Sequence, residues 1–123
     1  MGLDTFAAYP KNHKNYDPTA WLMPDTLFKP HTLCGGMFSG SGNSFRGKVY
    51  DGYVTFATGV SLYTPEIPNE AVKAMADALE DRSLIIRYKK IHTASNVTTT
   101  DSIQLAEWFR TVADNGGVVV GDW

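Results

Sequence analysis

The chain has 123 residues, 43% of them hydrophobic and 20% charged, with a formal net charge of −2. That length fits one domain around a single core, and the composition excludes an intrinsically disordered chain. The near-neutral balance also removes the general basic field on which sequence-independent nucleic-acid binding rests, leaving only a local cluster at Arg82, Arg87, Lys89 and Lys90.

Residues 8–32 read as irregular, because Pro10, Pro18, Pro24 and Pro30 interrupt every candidate element and Asn12, Asn15 and Asp17 favour turns. Tyr9, Tyr16, Trp21, Leu22, Met23, Leu27 and Phe28 are spread through this stretch, the pattern of a segment that wraps over a core. A short helical turn is expected at Asp25–Lys29. Residues 46–58 have Val49, Tyr53, Phe56 and Ala57 on one helical face, with Ser44 as N-cap and Gly59 as stop. Gly52 and the β-branched Val49, Val54, Thr55 and Thr58 weaken that helix. Asn69–Arg82 is the clearest helix, burying Val72, Met75, Ala76 and Leu79. Ser83–Ile91 fits both a strand, alternating from Leu84, and a helix, pairing Leu84 with Tyr88; strand is the preferred reading. Residues 92–100 are a loop. Asp101–Asn115 is a second strong helix capped by Thr100 or Asp101, stopped by Asn115-Gly116-Gly117 and followed by a short apolar strand at Val118–Val120. The expected fold is α+β: one helix-dominated domain over 1–123, with two or three main helices, a few short strands and a long irregular N-terminal segment.

Leu33–Tyr50, LCGGMFSGSGNSFRGKVY, holds five glycines and three serines in eighteen residues. Glycine lets another group approach the main chain closely. Followed by a helix start and two cations, such a loop suits an anion held on backbone N–H groups. It equally suits a tightly packed structural corner, and the sequence does not choose between them. Gly42 to Lys48 formally matches the phosphate-loop pattern G-x-x-x-x-G-K. Val49 then stands where a magnesium-binding serine or threonine belongs, so a looser anion site is the better reading of the two, and a structural loop whose cations face water is favoured over both. Arg46 and Lys48 would supply the anion site's charge, Ser39, Ser41 and Ser44 its hydrogen bonds, and Tyr50 or Tyr53 a wall.

Cys34 is the only cysteine, which rules out an intrachain disulfide. It lies three residues from His31 and beside Gly35-Gly36, so it is the candidate nucleophile if the protein is a small hydrolase or transferase. A free cysteine of this kind is more often a small buried hydrophobe. His13, His31 and His92, with Asp4, Asp17 and Asp51, show no metal-ligand spacing, so neither metal nor cofactor is expected. Tyr50, Tyr53, Phe56, Tyr63 and Trp108 are aromatic candidates for a pocket wall, though helical spacing favours the core. Trp21 and Trp123, if exposed together, point to an oligomer interface. There is no membrane-length apolar run and no signal-peptide pattern after Met1, so a cytoplasmic location is expected.

The start GLDTFA (2–7), the block LCGGMFSGSGNSFRGKVY and the end LAEWFRTVADNGG with Trp123 together resemble a group of small bacterial proteins of unassigned function, some carried on mobile elements such as integron gene cassettes. That resemblance implies a helix after SFRGKVY. It transfers no catalytic or binding residue. The expected role is therefore non-catalytic binding of a small anion or metabolite at residues 35–47 and the following helix. The alternatives are a Cys34- or histidine-based enzyme and a homodimeric partner-docking protein.

Overall fold

A computed structural model describes residues 2–35 and 42–123. Four strands form one antiparallel sheet: β1 (Asp4–Ala8), β2 (Ser44–Arg46), β3 (Glu66–Ile67) and β4 (Val118–Asp122), in the order β2-β1-β4-β3. Among the described residues four α-helices complete it: α1 (Gly47–Thr58), α2 (Asn69–Leu79), α3 (Ser83–Ile91) and α4 (Thr99–Asp114), with a short 3-10 turn at Asp25–Leu27 where the sequence suggests one. The α+β class stands, with one helix more than the sequence suggests.

Strand alternation sorts the sheet into two faces. Register places Phe45, Thr5 and Gly121 in one cross-strand row, and Ala7, Val119 and Ile67 in the next. Phe45, Ala7, Val119 and Ile67 are buried and belong to the same core as Val72, Met75 and Leu79 of α2 and Leu105, Phe109 and Val112 of α4. The other face carries Phe6, Ala8, Val118 and Val120, with Trp21 and Leu22 of the proline-spaced segment beside it, while Tyr9, Met23 and Phe28 of that segment join the core on the helix side. The Tyr9 N–H donates to Trp21 O (2.9 Å), Ala8 bridges to Leu22, and the Met23 N–H donates to Ala7 O (3.0 Å). Residues 21–23 thus extend the sheet beside β1 where β2 ends.

Several local expectations change in the structure. Ser83–Ile91 is a helix: Leu84, Ile85 and Tyr88 are buried while Ile86, Arg87, Lys89 and Lys90 are exposed, a helical rather than alternating pattern. Its start is set by Asp81, whose carboxylate accepts from the Ser83 N–H (3.0 Å) and hydroxyl (2.7 Å). On α1 the buried side chains are Tyr50, Tyr53 and Val54, whereas Val49 and Phe56 are exposed. Its N-cap is Arg46, without a side-chain cap, because Ser44 is buried inside β2. On α4 the cap is Thr98, not Thr100 or Asp101. Thr98 Oγ1 accepts from the Asp101 N–H (3.0 Å) and Asp101 accepts from the Thr98 N–H (2.9 Å), a reciprocal capping box. The stop is as expected: Gly116 is left-handed (φ 70°), and the Gly117 N–H reaches Val112 O (2.9 Å). Arg110 of α4 ties to α2 by donating to Asp77 and to Glu80 (2.8 Å).

The turn from β2 straight into α1 depends on Gly47. A Cβ there would collide with the Thr5 hydroxyl and lie 3.0 Å from Leu3 Cδ2. Both neighbours are fully buried and have no room to yield. Gly47→Ala is therefore expected to lower unfolding stability by about 1–3 kcal/mol, the usual range for overpacking. Gly2→Ala, with nothing within 4 Å of the added atom, should leave it unchanged. Urea denaturation of the two variants checks this.

Candidate functional site

The junction of β2 and α1 is where the sequence puts an anion, and the structure shows what surrounds it. The Arg46 N–H donates to Cys34 O (2.9 Å) and the Lys48 N–H to Leu3 O (3.4 Å). Residues 44–46, the centre of the phosphate-loop pattern, form a strand rather than a loop. The phosphate-loop match is therefore a coincidence of sequence. Gly47 serves close packing, the other role open to it.

The cations remain. Arg46 and Lys48 are both exposed, and neither belongs to an ion pair among the described residues. They line one side of an open groove of about 800 Å3 together with Val49. The other side is the end of α3 and the following loop, contributing Tyr88, His92, Ser95 and Asn96. Among the described residues no carboxylate lines this groove. Lys89 and Lys90 occupy the last turn of α3, and no acidic residue occurs between Arg82 and Thr100. Arg46 and Lys48 thus face a groove that no carboxylate of the described residues lines. The Tyr88 and His92 rings stack at 4.5 Å. Gly52 permits this placement: a Cβ on it would sit 2.8 Å from the Tyr88 hydroxyl, so the missing side chain lets α3 close on α1.

Of the other residues singled out in the sequence, Ser39 and Ser41 lie outside the described residues. Ser44, Tyr50 and Tyr53 do not line the groove. Ser44 is buried in the sheet. The Tyr50 hydroxyl accepts from the Cys34 N–H (2.6 Å), and burial pushes its pKa well above 10.0. The Tyr53 hydroxyl is buried with no hydrogen-bond partner among the described residues, and burial raises it too. Both tyrosines belong to the core and do not form the pocket wall that the sequence suggests. His92, Ser95, Asn96 and Tyr88 are the groove residues that sequence reasoning missed. The faint signal for them was the acid-free basic stretch from Arg82.

Cys34 is exposed, contrary to the usual burial of a free cysteine. No hydrogen bond joins its thiol to a histidine among the described residues. His31 instead contacts Gly42 O through Nε2 (3.1 Å), beside the Trp108 indole N–H that donates to the same oxygen (3.0 Å). His13 contacts Asn115 O (2.9 Å). Among the described residues no group of three or more His, Cys, Asp or Glu is placed to hold a metal ion, and no helix is long and apolar enough to cross a membrane. Trp21 and Trp123 are both exposed, the latter packed edge-on to Tyr63.

Comparison with protein-family models, with curated proteins and with solved structures gives no match.

The raised tyrosines have a measurable consequence. A group whose pKa is higher folded than unfolded favours the folded state below its unfolded pKa, and that contribution is lost as pH rises through the folded value. Tyr50 and Tyr53 should therefore resist ionisation above pH 10.0 while exposed tyrosines titrate. Phenolate absorbance is expected to rise in two stages, the later one coinciding with loss of the folded circular-dichroism signal. Tyr50→Phe should shrink the later stage.

Proposed function

We propose that this protein is a non-catalytic binding protein for a small anion, a phosphorylated metabolite in particular, held in the groove between the start of α1 and the end of α3. The observation that carries this reading is the convergence of Arg46 and Lys48 with His92, Ser95 and Asn96 around one groove that has no carboxylate. Unpaired cations create a site for negative charge because no internal anion competes for them, and an open groove lets the ligand keep part of its hydration. The Asn96 side chain makes no hydrogen bond among the described residues, so its amide is free to orient the ligand. Binding is preferred to Cys34 catalysis because, among the described residues, the thiol has no hydrogen-bonded base to activate it.

Phosphate, sulfate, sugar phosphates and nucleotides should be screened by thermal shift. A ligand at a hundredfold excess over its dissociation constant adds about 2.7 kcal/mol of apparent stability. At least one phosphorylated compound is expected to raise the melting temperature, and added salt should diminish the effect through screening. Arg46→Ala combined with Lys48→Ala should abolish the shift and leave the unliganded melting temperature unchanged, since both side chains are exposed and in no ion pair among the described residues. A shift that survives in the double variant would remove the groove from consideration.

A further inference from the structure

The face of the sheet away from the helices holds a second site with different chemistry. Three aromatic side chains from the proline-spaced segment, Tyr9, Tyr16 and Trp21, line one cleft of about 290 Å3 with the carboxylate residue Glu66 of β3. The segment is held in place by its own bonds. Turns are closed by Pro10 O with the His13 N–H (2.9 Å), His13 O with the Tyr16 N–H (3.0 Å) and Asp17 O with the Ala20 N–H (3.0 Å). The His13 ring stacks on Tyr9 at 4.5 Å. Its Nδ1 accepts from the Asn15 N–H (3.0 Å), so the ring proton sits on Nε2 and is donated to Asn115 O (2.9 Å) at the end of α4. The aromatic set is therefore preorganised, which reduces the ordering that binding requires.

A wall of aromatic rings beside a carboxylate attracts an organic cation, because the negative ring faces and the fixed anion both favour positive charge. Trp21 is 39% exposed, unusual for so large an apolar side chain. Its indole N–H makes no hydrogen bond among the described residues. Lys11 also lines the cleft, but it is an exposed lysine that can swing into solvent. We infer that this cleft binds a methylated ammonium group, with the more exposed Tyr16 and Trp21 against the cation, the buried Tyr9 completing the lining and Glu66 balancing the charge. Trp21 and Val120 also line an adjoining cavity of about 320 Å3 with Phe6 and Leu22, an apolar continuation for an alkyl arm on the ammonium. This inference stands apart from the anion groove, with which the cleft shares no residue.

Choline is a suitable probe beside its neutral carbon isostere, which has tert-butyl in place of trimethylammonium. Titration followed by the indole N–H resonance of Trp21 is expected to show choline binding at least about fivefold tighter than the isostere, a ratio typical of cation recognition by rings. Glu66→Gln, on an exposed side chain, should weaken choline severalfold and leave the isostere unaffected. Lys11→Ala should bind choline at least as tightly as the parent. Trp21→Ala, which lacks the reporter resonance and is followed by titration calorimetry beside the parent, should lose choline binding, with the melting temperature recorded to confirm folding. Absence of any choline shift, equal binding of the isostere, or no effect of Glu66→Gln would each overturn the inference. So would weaker binding in Lys11→Ala.

Discussion

Where a side chain would stand on Gly47, Thr5 and Leu3 of the first strand region already fill the space, and this contact fixes how the sheet meets its helices. Because β2 can press against β1 at its last residue, the chain turns into α1 with no intervening loop. Arg46 then ends the strand and caps the helix at once, and Lys48 follows in the first turn. That geometry sets the two cations at the mouth of the groove. It also lays Tyr50 and Tyr53 into the core, where Tyr50 secures the chain at Cys34. A methyl group at position 47 would disturb the strand pairing, the helix start and the groove together.

Gly52 acts in the same way further along α1. The Tyr88 hydroxyl rests where its side chain would be, so α3 lies close to α1 and carries His92 and the loop beyond it to the opposite wall. Two glycines in one short stretch thus position both sides of the groove, one through the sheet and one through a helix pair. Glycine lowers the propensity of a helix, and α1 tolerates it because burial of Tyr50, Tyr53 and Val54 against the core outweighs the local preference.

Much of this is legible in the residues, and what is not has identifiable causes. The stripe of α2 and the Gly116-Gly117 stop are local patterns, and local patterns survive folding. On α1 two stripes overlap, Val49-Tyr53-Phe56 and Tyr50-Tyr53-Val54, and only the position of the sheet decides which turns inward. The short α3 satisfies both periods, so its contacts with the rest of the core select the helix. β1 is hard to read as a strand because Ala7 and Ala8 carry no β signal; it is a strand because it has partners on both sides. Arg46 and Lys48 could be named from sequence as a charged pair beside a glycine-rich loop. The far wall of their groove lies on another helix and the loop after it, beyond the reach of motif reasoning. Ser44, Tyr50 and Tyr53, by contrast, look available only because burial is invisible in a linear pattern.

The pairing of β1 with β4 has a bearing on how the protein is made. Asp4 stands opposite Asp122 and Ala8 opposite Val118, so strands from opposite ends of this sequence form the five-residue ladder at the centre of the sheet. The α2–α4 packing closes within a much shorter span of sequence. During synthesis β2 and residues 21–23 can pair with one edge of β1 early, while its other edge stays unmatched until β4 has left the exit tunnel. The edge of β1 that faces β4 is thus open to other chains until β4 emerges, while β2 can already cover the opposite edge.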